Sequence, residues 1–289
     1  MRWEGERESS NVEDDRGGGG GGGFGLGGRS IGIGTIVIAL VGGAIFGINP
    51  LTILSLLSGG PAPVQQQAPR QQNPKAEDRD SKFVRVVLAN TEDVWSQVFS
   101  KGGATYQPSH LVMYTGGIRT GCGAGQAAMG PFYCPADSKV YIDLGFYRTL
   151  RDQLGAPGEF AQAYVIAHEV GHHVQKLLGI SARMDAQRSR VSETEYNQLS
   201  VRLELQADFF AGVWAHYAQQ RGLLEVGDIE EALTAATAIG DDRLQRETQG
   251  YVVPDSFTHG TSEQRVRWFR KGYETGDIKQ GETFSARSL

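Results

Sequence analysis

The 289-residue sequence predicts an α+β fold behind one N-terminal transmembrane helix. Three observations carry this reading. No charged residue occurs between Arg29 and Arg70, and Ile31 to Ile48 is a predominantly apolar run. Apolar stretches of strand length cluster between residues 110 and 145. From about residue 145 onward the apolar residues recur at helical spacing. A few strands followed by many helices is an α+β layout.

Residues 1–29 are acidic and then Gly-rich, with an unbroken glycine run from Gly17 to Gly23. That composition predicts a flexible tail without chemistry. Residues 30–58 hold the apolar run. Eighteen helical residues span about 27 Å, close to the thickness of a bilayer core. A cleaved signal peptide would begin with a short basic segment, whereas about thirty acidic and glycine-rich residues come first. Gly32, Gly34, Gly42, Gly43 and Gly47 suit a membrane helix better than a soluble one, and Pro50 is placed to end or kink it. Arg16 and Arg29 lie before the span, and the nearest basic residues after it are Arg70 and Lys75. This bias predicts a single-pass protein of the cell (inner) membrane, with its N-terminus cytoplasmic and the remainder periplasmic or extracellular. Residues 59–80 are rich in Pro, Gln and charge and read as a linker. Residues 81–289 then form the folded domain.

Within the domain, Phe83 to Phe99 predicts a helix and Leu111 to Tyr114 a strand. Gly116 to Pro135 reads as a Gly-rich loop, and Val140 to Leu144 as a second strand. Helices are predicted over Phe160–Leu178, Ser192–Arg221, Ile229–Ile239 and Ser262–Tyr273. The chain carries 28 Lys+Arg against 33 Asp+Glu, a formal net charge of −5. No basic excess remains for a nucleic-acid footprint. Oligomeric state is left open. Cys122 and Cys134 are the two cysteines, read either as unrelated thiols or as one local disulfide. A domain outside the cytoplasm favours the disulfide, and closing so short a loop contributes about 3 kcal/mol.

The sharpest signal is His168-Glu169-Val170-Gly171-His172. With 6 histidines in the chain, an accidental H-E-x-x-H is expected on the order of 0.01 times. Its flanks predict a half-buried helix, so both imidazoles, one turn apart, share a face and can hold one ion. Glu169 projects from a rotated position, where it can reach a metal-bound water without being a ligand. That is the geometry of a catalytic Zn2+ site. His173 points about 100° from His172 and is read as outer-sphere or surface. A catalytic zinc takes a third protein ligand. Glu204 is the candidate, because Leu203, Leu205, Phe209 and Phe210 argue for its burial and a buried carboxylate needs a cation. Glu193, Glu195 and His216 are weaker rivals. Asp208, one turn after Glu204, is placed to accept a hydrogen bond from a ligand histidine.

HEVGHH followed by ELQADFFAG resembles the gluzincin arrangement of the HtpX and CAAX-prenyl endopeptidases. Residues 82–284 are more similar still to the bacterial "putative neutral zinc metallopeptidase" family. The resemblance rests on TGCG at residues 120–123, GPFYCP at 130–135, KVYIDL, HEVGHHVQ, ELQAD and THGTSEQR, in that order. Typical members carry a cysteine near the C-terminal GETF segment, where this chain has Gly281. The resemblance implies that His259 donates to a developing oxyanion. It also implies that Arg265 orients the substrate or pairs with an inner carboxylate such as Asp208.

The expectation is a zincin-like, membrane-anchored endopeptidase with one catalytic zinc on His168, His172 and Glu204 and with Glu169 as general base. A peptide or protein substrate is expected to add to an edge strand at Val140, Tyr141 and Ile142. A membrane-tethered zinc-binding scaffold that cleaves nothing is the alternative, and a hydrolase of non-peptide amides is a further one.

Overall fold

A computed structural model describes residues 1–16, 74–126 and 130–289. The predicted span at 30–58 and the linker up to residue 73 lie outside these residues. Among the described residues no helix is long and apolar enough to cross a membrane.

The α+β expectation holds. Strands β1 (Val12–Asp14), β2 (His110–Tyr114), β5 (Phe132–Cys134) and β6 (Lys139–Asp143) form one sheet in the order β1-β2-β6-β5. The first three pairings in space run β1 parallel to β2, β2 parallel to β6, and β5 antiparallel to β6. A separate hairpin joins β3 (Gly117–Thr120) to β4 (Gly123–Gln126). The helices are α1 (Pro74–Lys101), α2 (Gly145–Asp152), α3 (Glu159–Leu177), α4 (Ile180–Asp185), α5 (Glu193–Gln220), α6 (Asp228–Ala238), α7 (Asp241–Gln249) and α8 (Ser262–Thr275).

The sheet is covered on both faces. Leu111, Met113, Val140 and Ile142 join the large core shared with the helices. Val112, Tyr114, Cys134 and Tyr141 form a second cluster with Ile118 of the hairpin and Phe132. The near-continuous apolar run of β6 follows from this, since a strand buried on both faces has no solvent side to alternate toward.

Three expectations are corrected here. First, β6 is an interior strand, paired with β2 along its whole length and with β5 from Lys139 to Tyr141, so Val140 and Tyr141 have neighbours on both sides and Ile142 pairs with Met113 of β2. The edge beside α3 is β5. Second, the Gly-rich stretch 116–135 is no simple loop. It folds into β3, β4 and β5, and a Cys122–Cys134 disulfide ties the hairpin turn to the edge strand. Gly125 lets the hairpin lie against Phe132, because a Cβ there would stand 2.5 Å from the ring. Third, residues 1–16 are not a flexible tail, and α1 already begins at Pro74, inside the predicted linker.

Composition over 1–29 averages away the contacts that dock the first sixteen residues. Trp3 is 3% exposed, stacks edge-on against Phe83 and donates to Glu159 (2.9 Å). The buried Glu92 carboxylate accepts hydrogen bonds from Arg7 (3.0 Å), Ser9 (2.5 Å) and Asn11 (2.8 Å). A buried carboxylate requires such partners.

Two helix–helix contacts position the later chemistry. Gly212 of α5 and Gly272 of α8 face the opposing backbones so closely that a Cβ at either would lie 2.0 Å from a carbonyl oxygen, of Phe269 and Phe209 respectively. Gly171 lets α3 approach Ala207 of α5, whose carbonyl would be 2.9 Å from an added Cβ.

Candidate metal centre

The centre is built on the α3–α5 crossing that Gly171 permits. His168 and His172 leave α3 on one face, with ring centroids 4.9 Å apart. Glu204 comes from α5. Its Oε2 lies 3.2 Å from His168 Nε2 and its Oε1 lies 3.5 Å from His172 Nε2. One ligand atom from each residue falls within 4.8 Å of the others. A tetrahedral ion with bonds of about 2.0–2.2 Å holds its ligand atoms about 3.3 Å apart. The donor set therefore fits a single divalent cation. Without one, burial works against the charged forms, yet the two imidazoles hold the Glu204 carboxyl well below its ordinary range.

The far nitrogen of each histidine is fixed. His168 Nδ1 donates to Asp208 Oδ1 at 2.8 Å, and His172 Nδ1 donates to Gln175 Oε1 at 2.8 Å. Each bond sets the tautomer that leaves Nε2 free for a metal. Gln175 is in turn held through its amide nitrogen by the Leu203 carbonyl (2.6 Å). Asp208 also accepts from the Tyr164 hydroxyl (2.5 Å) and from Arg265 Nε (2.8 Å) and Nη2 (2.9 Å). Burial alone would raise its pKa, but Arg265 and His168 push it down to about 2.

Arg265 is 2% exposed and also donates to the Ile239 carbonyl (3.2 Å). Of the two roles implied by resemblance, the structure shows the pairing with Asp208. A guanidinium so enclosed has no face left for substrate, which corrects its placement among the catalytic groups. Glu169 is 8% exposed, next to the first ligand, and burial raises its pKa against the pull of His168 and His172.

His259 sits on the loop before α8, within electrostatic range of Glu204, with 45% of its side chain exposed. Asp241, at the start of α7, holds that loop. Its Oδ2 accepts the backbone N–H groups of Thr258 (2.8 Å), His259 (2.6 Å) and Gly260 (2.9 Å). Its Oδ1 lies 3.2 Å from His259 Nδ1. Burial would lower the imidazole pKa, and Asp241 raises it instead.

The rival ligands lie outside this cluster. Glu195 closes the capping box with Ser192 at the start of α5. Glu193 is exposed in the same first turn. His216 Nδ1 donates to the Tyr273 carbonyl at 2.8 Å. His173 does turn away from the cluster, but it is buried, not at the surface. Its Nε2 donates to the Gln107 carbonyl (2.6 Å) and its Nδ1 accepts from the Tyr133 hydroxyl (2.9 Å). It thereby clasps β5 to α3.

Sequence reasoning missed Tyr164, Gln175 and Asp241. Gln175 carried a readable signal, since it lies three residues after His172 on the same helical face. Tyr164 carried the same signal, one turn before His168. Asp241 carried none, because its partners are seventeen to nineteen residues away across a loop.

An α+β body that presents two histidines of H-E-x-x-H and a glutamate from a crossing helix carries a candidate metal site of the H-E-x-x-H class. The chain belongs to the family described as "Putative neutral zinc metallopeptidase", whose model matches residues 1–284. It is 57% identical over 289 residues to the uncharacterized protein YpfJ of Escherichia coli K12, covering 98% of this chain and 99% of that one. It is 40% identical over 220 residues to the uncharacterized protein Rv2575 of Mycobacterium tuberculosis H37Rv, covering 72% and 73%. No solved structure shows a significant match.

Proposed function

We propose that the protein is a membrane-associated, zinc-dependent endopeptidase of zincin type. The observation that carries this is the Glu204 carboxylate lying between the Nε2 atoms of His168 and His172, with Glu169 buried beside them. His168, His172 and Glu204 would hold the ion. Bound zinc supplies a Lewis acid for the scissile carbonyl and lowers the pKa of its water to about 7.

The chain's own groups do the rest. Glu169 takes a proton from the attacking water and returns it to the leaving amine. His259, held by Asp241, donates a hydrogen bond to the carbonyl oxygen as charge develops there. Asp208 and Gln175 keep the two imidazoles in the ligating tautomer. Arg265 acts only through Asp208. An extended peptide pairs with β5, the sheet edge clasped to α3 by His173 and Tyr133. Membrane association through residues 30–58 rests on their uncharged, apolar sequence.

The test compares purified wild type with Glu169→Gln on an unfolded protein substrate. Both should bind one equivalent of zinc, and the variant should lose activity by about 10²–10⁴-fold, the range for a positioned acid–base group. Equal zinc content with no turnover in either protein would establish the non-cleaving scaffold instead.

A further inference from the structure

Building on the membrane association proposed above, we infer that residues 1–16 and the body that carries the candidate metal centre lie on the same side of the membrane. This reverses the single-pass topology that charge bias predicts. It does not depend on the chemistry at the metal centre.

The argument starts from backbone pairing. β1 lies in register on the edge of β2, with Val12 opposite Leu111, Glu13 opposite Val112 and Asp14 opposite Met113. Flanking bonds extend the ladder, from Leu111 N–H to the Asn11 carbonyl and from Asp15 N–H to the Met113 carbonyl, both 2.8 Å. Side chains tie the same segment to elements from the whole length of the body. Trp3 reaches Phe83 of α1 and Glu159 of α3. Glu13 accepts from Lys139 of β6 (2.8 Å), and Arg2 N–H donates to the Leu223 carbonyl after α5 (2.8 Å).

A single crossing would place about 30 Å of hydrocarbon between these partners. It would empty the Trp3 site, open the β2 edge, and strip the buried Glu92 of Arg7, Ser9 and Asn11. A single crossing is therefore incompatible with the contacts that residues 1–16 make. The Cys122–Cys134 disulfide puts that shared face on the oxidising side.

The experiment uses the full chain in spheroplasts and a membrane-impermeant maleimide. Two variants, Ser10→Cys in the N-terminal segment and Gln219→Cys at the end of α5, place thiols at exposed positions. Wild type, whose two cysteines are paired, sets the background. Both variants should label to the same extent before lysis, with no more than a twofold gain on lysis. Labelling of both only after lysis would overturn the placement of that face on the oxidising side. Labelling of one variant before lysis and the other only afterwards would overturn the proposal. The readout needs no enzymatic activity, so failure here leaves the peptidase reading intact.

Discussion

Asp208 accepts hydrogen bonds from Tyr164, His168 and both Nε and Nη2 of Arg265 in a pocket closed to solvent. Replacing it by Asn leaves a buried guanidinium without its counter-ion, a change that costs about 3–5 kcal/mol. The same substitution frees the His168 tautomer, and losses of this kind reduce metal affinity about 10–100-fold. Denaturant unfolding and a zinc competition titration of Asp208→Asn should show both effects. A variant as stable and as tight as wild type would refute this account of the pocket. Asp241 gives a pH prediction. Its pKa is lowered, against burial, by His259 and by the bonds from His259 and Gly260. A depressed carboxylate stabilises above its unfolded pKa of about 3.9, and the effect fades as pH falls through the folded value. The raised pKa of His259 works at the other end. Its share is complete below about 6.5 and fades as pH rises through the folded value. In metal-free protein the stability gap between wild type and Asp241→Asn should therefore be widest between about pH 4 and 6.5 and narrow on both sides. Urea midpoints across pH 3–9 measure it. At this scale the clustering of His168, His172 and Glu204 was legible, because a four-residue spacing and a flank of leucines and phenylalanines are local signals. Asp241 was illegible, because its role exists only once the chain has turned back on itself.

The long helices were also legible, since α3 and α5 carry their own stop and start signals. Gly179 leaves α3 at φ +73°, and Ser192 with Glu195 caps α5. The strands were harder. β6 and an edge strand look alike in one dimension, and only the register shows that β6 has neighbours on both sides. β3, β4 and β5 are three or four residues each and interleaved with glycine, too short for periodicity to register. The α5–α8 contact was invisible for a different reason, as it depends on two residues with no side chain. A Gly212→Ala chain would place its methyl 2.0 Å from the Phe269 carbonyl oxygen. Backbone cannot yield as a flexible side chain does, so we expect destabilisation of about 3 kcal/mol or more. Arg265 rides on α8, so the variant should also lose zinc affinity. Soluble yield, thermal midpoint and metal content report on it together. Normal values for all three would show that the two helices can separate cheaply.

Among the described residues, the sheet is a partition between the helical core that carries the candidate metal ligands and the disulfide-tethered hairpin on its other face. The first sixteen residues complete that partition at one end, and β5 ends it at the other, beside the metal centre. The overall class was predictable because strand-like and helix-like segments separate along the chain. The membership of β1 in the sheet was not. It joins residues almost a hundred positions apart, and its composition resembles that of the tail it precedes.

That strand has a practical consequence for making the protein. Deleting everything before residue 74 is the obvious way to avoid a greasy segment during expression. Such a trimmed polypeptide would lose β1 and vacate the Trp3 site, and emptying a tryptophan site alone costs about 3–5 kcal/mol. Excising only residues 17–73 and bridging the cut with a Gly/Ser tether should preserve the native melting behaviour that the trimmed version forfeits. Differential scanning calorimetry of the two recombinant forms, run side by side, would settle the matter in an afternoon.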